Sequence, residues 1–164
     1  MIVREATPLD VEAANAIYDQ ARQYMRQSGN LYQWPSIYPG VKDILDDIPL
    51  GQSFVVEDDG EVVGVFHFHI GTDPTYLVIN DGAWKNDEPY AVIHRVAVKY
   101  HGKGIADLIY SHCYEKFPNL KIDTHRDNLP MQKSLEKNGF EYCGITHLLN
   151  GEERLAYQKV PGKK

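Results

Sequence analysis

The sequence predicts an α/β fold of the α+β type, a mixed sheet flanked by helices rather than a repeating βαβ series. Two observations carry this. Segments with helical spacing and segments rich in β-branched and aromatic residues follow each other in the order α-α-β-β-β-β-α-β-α-β-β, so strands run in series before helices intervene. The 164 residues also fit one domain, 1–164, with no internal repeat, low-complexity tract or linker.

Thr7-Pro8 followed by Asp10 opens a helix, and Val11, Ala14, Ile17, Tyr18, Ala21 and Met25 give it one apolar face. It stops near Ser28-Gly29. Pro35 and Pro39 prevent a long regular element over 30–40. A short helix over 41–48 ends before Pro49. Residues 53–57 form a strand, Asp58-Asp59-Gly60 a hairpin turn with glycine at positive φ, and Glu61–Ile70 a longer strand. Residues 76–80 read as a short strand and 90–98 as one rich in β-branched residues. Ile105, Leu108, Ile109, Cys113 and Phe117 mark an amphipathic helix that ends at Pro118. Leu120–Thr124 is a strand. Asp127 and Asn128 are cap candidates for a helix with Pro130 in its first turn and Asn138-Gly139 as its stop. Residues 140–149 and 152–159 read as a final hairpin closed by Asn150-Gly151 in a type I′ turn.

Composition excludes several classes. Apolar residues make up 43% and charged residues 24%, which rules out disorder, collagen-like repeats and a disulfide scaffold. No apolar run reaches the roughly 18 residues that cross a bilayer. The start, Met-Ile-Val-Arg-Glu-Ala, lacks the apolar core of a signal peptide, so a cytoplasmic protein without a membrane partner is expected. Cys113 and Cys143 have no CxxC spacing and are expected as unpaired core thiols, a single disulfide being the alternative. A net charge of −6 argues against a nucleic-acid partner. That charge is uneven. Residues 1–100 hold 15 acids and seven bases, whereas 101–164 hold eight acids and ten bases. Either this is chance on a solvated surface, or a basic half meets an anionic cofactor and an acidic half a cationic substrate.

The stretch that carries chemistry is Val92-Ile-His-Arg-Val-Ala-Val98, Lys-Tyr, then His101-Gly102-Lys103-Gly104-Ile105-Ala106. A strand runs into a glycine-rich turn that opens a helix. The first helical N–H groups have no internal acceptor, and the aligned peptide dipoles add positive charge there. Gly102 and Gly104 let the backbone approach a bulky anion, so a phosphate or pyrophosphate site is predicted, with a ligand-free tight turn as the alternative. The Walker loop is excluded because Gly104 follows Lys103, and the dinucleotide fingerprint because Asp107 stands at its third small position.

These residues resemble the GNAT superfamily of acyl-CoA-dependent N-acetyltransferases, whose hallmark is Arg/Gln-x-x-Gly-x-Gly/Ala between a strand and a helix. His101 stands where Arg or Gln is usual. A second block, Asn128 followed by Leu135-Glu-Lys-Asn-Gly-Phe-Glu141, is similar to the family's "Glu-Lys-x-Gly-Phe" ending, and the element order fits nearly the whole chain. The resemblance implies a mixed, mostly antiparallel sheet, splayed at a bulge, with acetyl-CoA wedged in the splay. It implies that Val96, Ala97 and Val98 pair with the pantetheine amides. The backbone N–H groups over His101, Gly102, Lys103, Gly104, Ile105 and Ala106 would hold the pyrophosphate, and Asn128 would touch the pantetheine arm. Many members carry a Tyr where this chain has Leu135, so no general acid carries over. Family members often dimerise, which allows a homodimer here.

An acceptor ammonium must lose a proton before it can attack a thioester. His94 lies on the strand that leads to the turn, on the same face as Val92 and Val96 by period, and is the candidate general base. The alternative is a structural histidine bonded to a neighbouring strand or loop. Arg95 beside it would weaken its basicity if the two groups lie close. His67 and His69 share one face of the preceding strand and with His94 suggest a metal set, but no carboxylate stands at ligand spacing, and no metal is expected. Asp123 and Asp127 read as caps and loop polarity. Tyr32, Trp34, Tyr38, Trp84 and Tyr90 are unusually aromatic for loops and read as the acceptor wall, which would suit a cationic amine, or simply as a lid on the core. The function expected is acetyl transfer from acetyl-CoA to an amine acceptor. A non-catalytic CoA-binding regulatory domain is the alternative, supported by Leu135, and a histidine-based metalloenzyme is a third reading.

Overall fold

The computed structural model describes residues 1–34 and 37–162; Pro35, one of the two expected breakers, lies outside the described residues. Seven strands form one sheet: β1 (Ile2–Glu5), β2 (Ser53–Asp58), β3 (Glu61–Ile70), β4 (Ala91–Val98), β5 (Leu120–Thr124), β6 (Glu141–His147) and β7 (Glu153–Lys159). Their order is β1-β2-β3-β4-β5-β7-β6, and each neighbouring pair is antiparallel except β4–β5. Four helices accompany the sheet: α1 (Val11–Gln27), α2 (Val41–Asp47), α3 (Ile105–Lys116) and α4 (Leu129–Lys137). No helix of the described residues is long and apolar enough to cross a membrane.

Strand alternation sends successive side chains to opposite faces, and each face has its own core. Val55, Val65 and Ala97 join Ala14, Ile17, Tyr18, Trp34 and Ile44 beneath α1 and α2. Val56, Phe66, Ile93 and Ile122 join Ile109, Tyr110, Cys113, Leu135 and Phe140 beneath α3 and α4. Full burial of each Val, Ile, Leu or Phe among them contributes about 1.5–3 kcal/mol. Cys113 and Cys143 are both buried and free, and burial pushes both thiols up, so the disulfide alternative is not realised.

Four local features differ from expectation. The edge strand β1 has only four residues, too few for a pattern, and exists because it pairs with β2 from Ile2↔Glu57 to Glu5↔Phe54. Residues 76–80 are not a strand. Pro74 sets a 3-10 turn over Pro74–Tyr76, capped by the Asp73 carboxylate, and Asn80 alone bridges to Ile145. The short helix ends at Asp47, before Pro49 as expected, but an unexpected 3-10 turn, Ile48–Leu50, follows it and contains Pro49. Type I′ geometry belongs to Asp59-Gly60, with φ of 51° and 80°, and not to Asn150-Gly151. The last loop instead closes with Gly151 N–H donating to Leu148 O at 2.8 Å, and only Gly151 takes a positive φ, 87°.

The feature that positions the site is a split in the sheet. The parallel strands β4 and β5 pair at Ala91↔Leu120 and Val92↔Lys121 and part beyond. Across β4, His94 faces His67 and Ala97 faces Val65, so Arg95 and Val96 together oppose Phe66. That is a β-bulge, and Arg95 adopts φ 55°, uncommon for a side chain other than glycine. The Tyr18 hydroxyl donates to the Arg95 carbonyl at 2.9 Å and holds the bulge from α1.

Candidate active site

The glycine turn has the predicted form. Gly104 caps α3 in the left-handed region (φ 77°), and Gly102 also takes positive φ, 74°. A Cβ at either position would meet nothing within 4 Å, so the turn borders open space. The first helical bond runs from Leu108 N–H to Gly104 O at 3.0 Å, which leaves the amides of Ile105, Ala106 and Asp107 without a helical acceptor. A depression of about 320 Å³ lies against them, bordered by His101, Gly102 and Gly104 and by Lys133 and Lys137 of α4. The His101 ring stacks on Tyr24 at 4.2 Å. Lys103 is exposed and does not line the depression. Asn138 and Lys137, at 2.9 and 3.1 Å, hold the Asp107 carboxyl below its usual range.

From this depression two adjoining cavities lead into the split. A second cavity, lined by Val96, Ala97, Val98 and Tyr110, shares Val98, His101, Ala106 and Ser134 with the first. It shares Met25, Val96, Asn128 and Met131 with a third, of about 320 Å³, between the parted ends of β4 and β5. Asn128 stands at this junction. Its carbonyl caps α4 by accepting from Met131 N–H at 3.2 Å, and its amide donates to Gln33 Oε1 at 2.9 Å. Leu135 is fully buried in the core.

The third cavity holds His94. Its Nε2 lies 2.8 Å from Asp73 Oδ2. Asp73 also accepts from Thr75 N–H at 2.8 Å and Thr75 O–H at 2.7 Å. Burial alone would raise this carboxyl, but the His94 and Thr75 bonds outweigh it and hold Asp73 well below the usual range. An ionised Asp73 only accepts, so the Nε2 that faces it carries a hydrogen, and in the neutral imidazole the lone pair then falls on Nδ1. No described residue bonds Nδ1. Asp123 corrects a sequence expectation: it is the fourth residue of β5, not a cap, and its carboxylate borders the cavity while accepting from Tyr76 O–H at 2.7 Å.

The aromatic residues divide. Trp34 and Tyr38 line the cavity, and Tyr32 is exposed and lines none of the described cavities. Trp84 and Tyr90 do not line the cavity and instead flank a cation of the protein itself, Lys121, whose Nζ lies 4.2 and 3.9 Å from their ring centroids. Burial holds that ammonium below its usual range. Tyr90 still reaches the site, since its hydroxyl accepts from Asp73 N–H at 3.1 Å.

The charge of Arg95 is directed to α2. Its guanidinium pairs with Asp47 and lies 3.5 Å from Asp43. It also lies 2.9 Å from Nδ1 of His67, which burial, and then Arg95, push down. His67 is further bonded to Asp47 at 3.0 Å and to His69 at 2.9 Å. Among the described residues no group of three or more His, Cys, Asp or Glu is arranged to hold a metal.

The family model described as the acetyltransferase (GNAT) family matches residues 14–140. The chain belongs to the GNAT acetyltransferase family. A GNAT-family acetyltransferase from Streptococcus agalactiae 2603 is 32% identical, with 99% of this chain and 96% of that one covered and a TM-score of 0.89. Two more distant structures share the fold. One is yncA from Salmonella typhimurium with its cofactor acetyl-CoA (16% identity, 99% and 95% covered, TM-score 0.65). The other is aminoglycoside acetyltransferase AAC(6')-Ib with coenzyme A and kanamycin (19% identity, 96% and 93% covered, TM-score 0.59). A search of curated proteins finds no match.

In this GNAT chain the structure gathers His94, Val96, Asn128, Trp34 and Tyr38 onto one row of cavities with the glycine turn. It adds Asp73, Asp123, Met131 and Arg154, which sequence reasoning missed. Asp73 before Pro74 signals a cap, and nothing in the sequence signals that its second oxygen meets His94.

Proposed function

We propose that this protein transfers the acetyl group of acetyl-CoA to a primary amine, on a small molecule or on a peptide or protein. The observation that carries the reading is the row of adjoining cavities, sharing lining residues, that leads from the glycine turn to the His94–Asp73 pair. The residues fit the cofactor. Free amides at Ile105, Ala106 and Asp107, with Lys133 and Lys137, suit a pyrophosphate. The parted edge of β4 from Val96 to Val98 offers backbone groups to an amide-bearing arm, with Asn128 beside it. Acetyl-CoA supplies an acetyl group activated as a thioester. The relatives solved with acetyl-CoA and with coenzyme A support the same reading.

The chain's own work is at the amine. Trp34, Tyr38 and Asp123 provide an aromatic and acidic wall for an ammonium. His94 Nδ1 takes its proton, directly or through one water, while Asp73 steadies the imidazolium that forms; such assistance is typically worth about 10²–10⁴ in rate. The test is thiol release from acetyl-CoA against a panel of amines. Amine-dependent release supports the proposal. CoA binding with no release from any amine would instead mark a regulatory CoA-binding domain, the reading that Leu135 favours.

A further inference from the structure

We infer that the acceptor is a small zwitterion, an amine that also carries a carboxylate, as an amino acid does, with Asp123 receiving its ammonium and Arg154 its carboxylate. This rests on the row of cavities being an acetyltransferase site, and it narrows the acceptor by charge.

The third cavity contains charges that the protein neutralises itself and charges that it leaves open. Asp73 is bonded to His94, and Arg95 is paired with Asp43 and Asp47. Asp123 differs. Among the described residues no basic group lies within ion-pair distance of it, and its bond from Tyr76 comes from a neutral hydroxyl. Arg154 differs in the opposite sense. Its side chain is 4% exposed, yet its guanidinium donates to neutral carbonyls, Glu153 O at 2.9 Å and Gln33 O at 3.2 Å. Its one acidic contact among the described residues, the half-exposed Glu152, stands at 3.4 Å, longer than the roughly 2.7–2.9 Å of a charge-assisted bond. A guanidinium withdrawn from water without a close counter-ion is costly, and an incoming anion relieves that cost.

Register places the two together without letting them cancel. Asp123 of β5 is paired with Ala156 of β7, and Arg154 lies two residues along β7 from Ala156. Side chains two apart share a face, so Asp123 and Arg154 are diagonal neighbours, a relation that spaces residues by about 7–8 Å. They form no ion pair with each other. The cavity therefore presents a negative and a positive group side by side, with His94 bordering the same space. An amine with a carboxylate a few bonds away satisfies both. A diamine would place a second cation against Arg154, and an amidated amine would leave the guanidinium without a partner. A volume of about 320 Å³ suits a small molecule.

The experiment compares the twenty common L-amino acids with their α-amides and with putrescine, by thiol release from acetyl-CoA and by the thermal shift each gives the CoA-loaded protein. The expected result is that the best free amino acid exceeds its own amide in kcat/KM by about 10- to 100-fold, as removing one partner of a charged hydrogen bond implies. The same acid, and not its amide, should raise the melting temperature. In Arg154→Gln the ratio of kcat/KM for the acid to that for its amide should collapse toward one, while CoA affinity read by calorimetry is retained. Arg154→Lys should restore part of the preference for the acid. An amide or putrescine that equals or exceeds the free acids would overturn the zwitterion and leave the acetyltransferase reading standing. An Arg154→Gln variant that loses acid and amide turnover equally would overturn the role of Arg154. Absence of thiol release with all of these acceptors would overturn the zwitterion; release with peptide or protein amines would then leave the acetyltransferase reading standing, and no release with those either would remove it.

Discussion

Replacing Asp73 by Asn isolates the one bond on which the proton-transfer argument depends. Asp73 accepts three hydrogen bonds. Two come from Thr75, at 2.8 and 2.7 Å, to Oδ1, and one involves His94 Nε2, at 2.8 Å from Oδ2. Asn keeps an oxygen for both Thr75 bonds and caps a helical turn about as well as Asp, so the turn over Pro74–Tyr76 should stand. At Oδ2, however, an acceptor becomes an NH2 donor. Facing a donor, Nε2 must offer its lone pair, and the imidazole proton moves to Nδ1, the atom that would otherwise take the proton of the amine. The variant therefore loses the base without losing the side chain. kcat/KM at pH 7 should fall by about 10²-fold or more, within the usual range for general-base assistance. Affinity for CoA, read by calorimetry, should not change. His94→Ala should cost about as much, and the double variant should be no worse than His94→Ala alone, because the two residues act as one unit. Native kcat/KM in Asp73→Asn, or losses that multiply in the double variant, would refute the reasoning.

Gly104→Val should weaken CoA binding by at least about tenfold by calorimetry, since φ 77° strains any β-branched residue and the added bulk faces the open turn. It should also lower the melting temperature; unchanged CoA affinity would place the cofactor elsewhere. Leu135→Tyr should not supply a general acid but should destabilise the protein by about 1–3 kcal/mol through overpacking, because Leu135 is fully buried; a gain in kcat with an unchanged melting temperature would contradict this. Asp10 is held below its usual range by the Arg4 guanidinium, at 2.8 and 2.9 Å, and by Thr7 N–H. Its contribution is fully present above the ordinary carboxylate pKa, near 4, and is lost as pH falls through the depressed value. Asp10→Asn should thus cost about 1–3 kcal/mol at pH 7 in urea melts, with the difference from the native protein shrinking below about pH 4. A pH-independent difference would assign the loss to packing.

What the sequence reveals about this protein follows from how local each signal is. The bounds of β3, Glu61–Ile70, and of β5, Leu120–Thr124, coincide with the expected ones because period and punctuation lie within the segments. The turn at Gly102 and Gly104 was legible for the same reason. β1 was not, because four residues carry no period and pairing with β2 alone makes them a strand. Within the site, His94 was legible from its strand, and its partner was not. Asp73 arrives from a loop 21 residues earlier in the chain. Asp123 read as loop polarity because the divergence of β5 from β4, which opens a cavity beside it, is a tertiary event. Trp84 and Tyr90 show the converse. Their aromatic character does hold a cation, but that cation is Lys121. The basic half of the chain likewise contributes Lys133 and Lys137 to the turn, and both lie outside the glycine motif.

The central claim is that this site moves an acetyl group from acetyl-CoA to an amine. Mass spectrometry of an amine panel incubated with acetyl-CoA and the protein, read together with free thiol, tests it most directly. The account predicts one acceptor heavier by one acetyl group, thiol released in equal amount, and both signals lost together in His94→Ala while CoA still binds. Acetylation undiminished in His94→Ala from pH 6 to 9 would remove His94 as the base, and thiol release with no acetylated acceptor would contradict the claim itself.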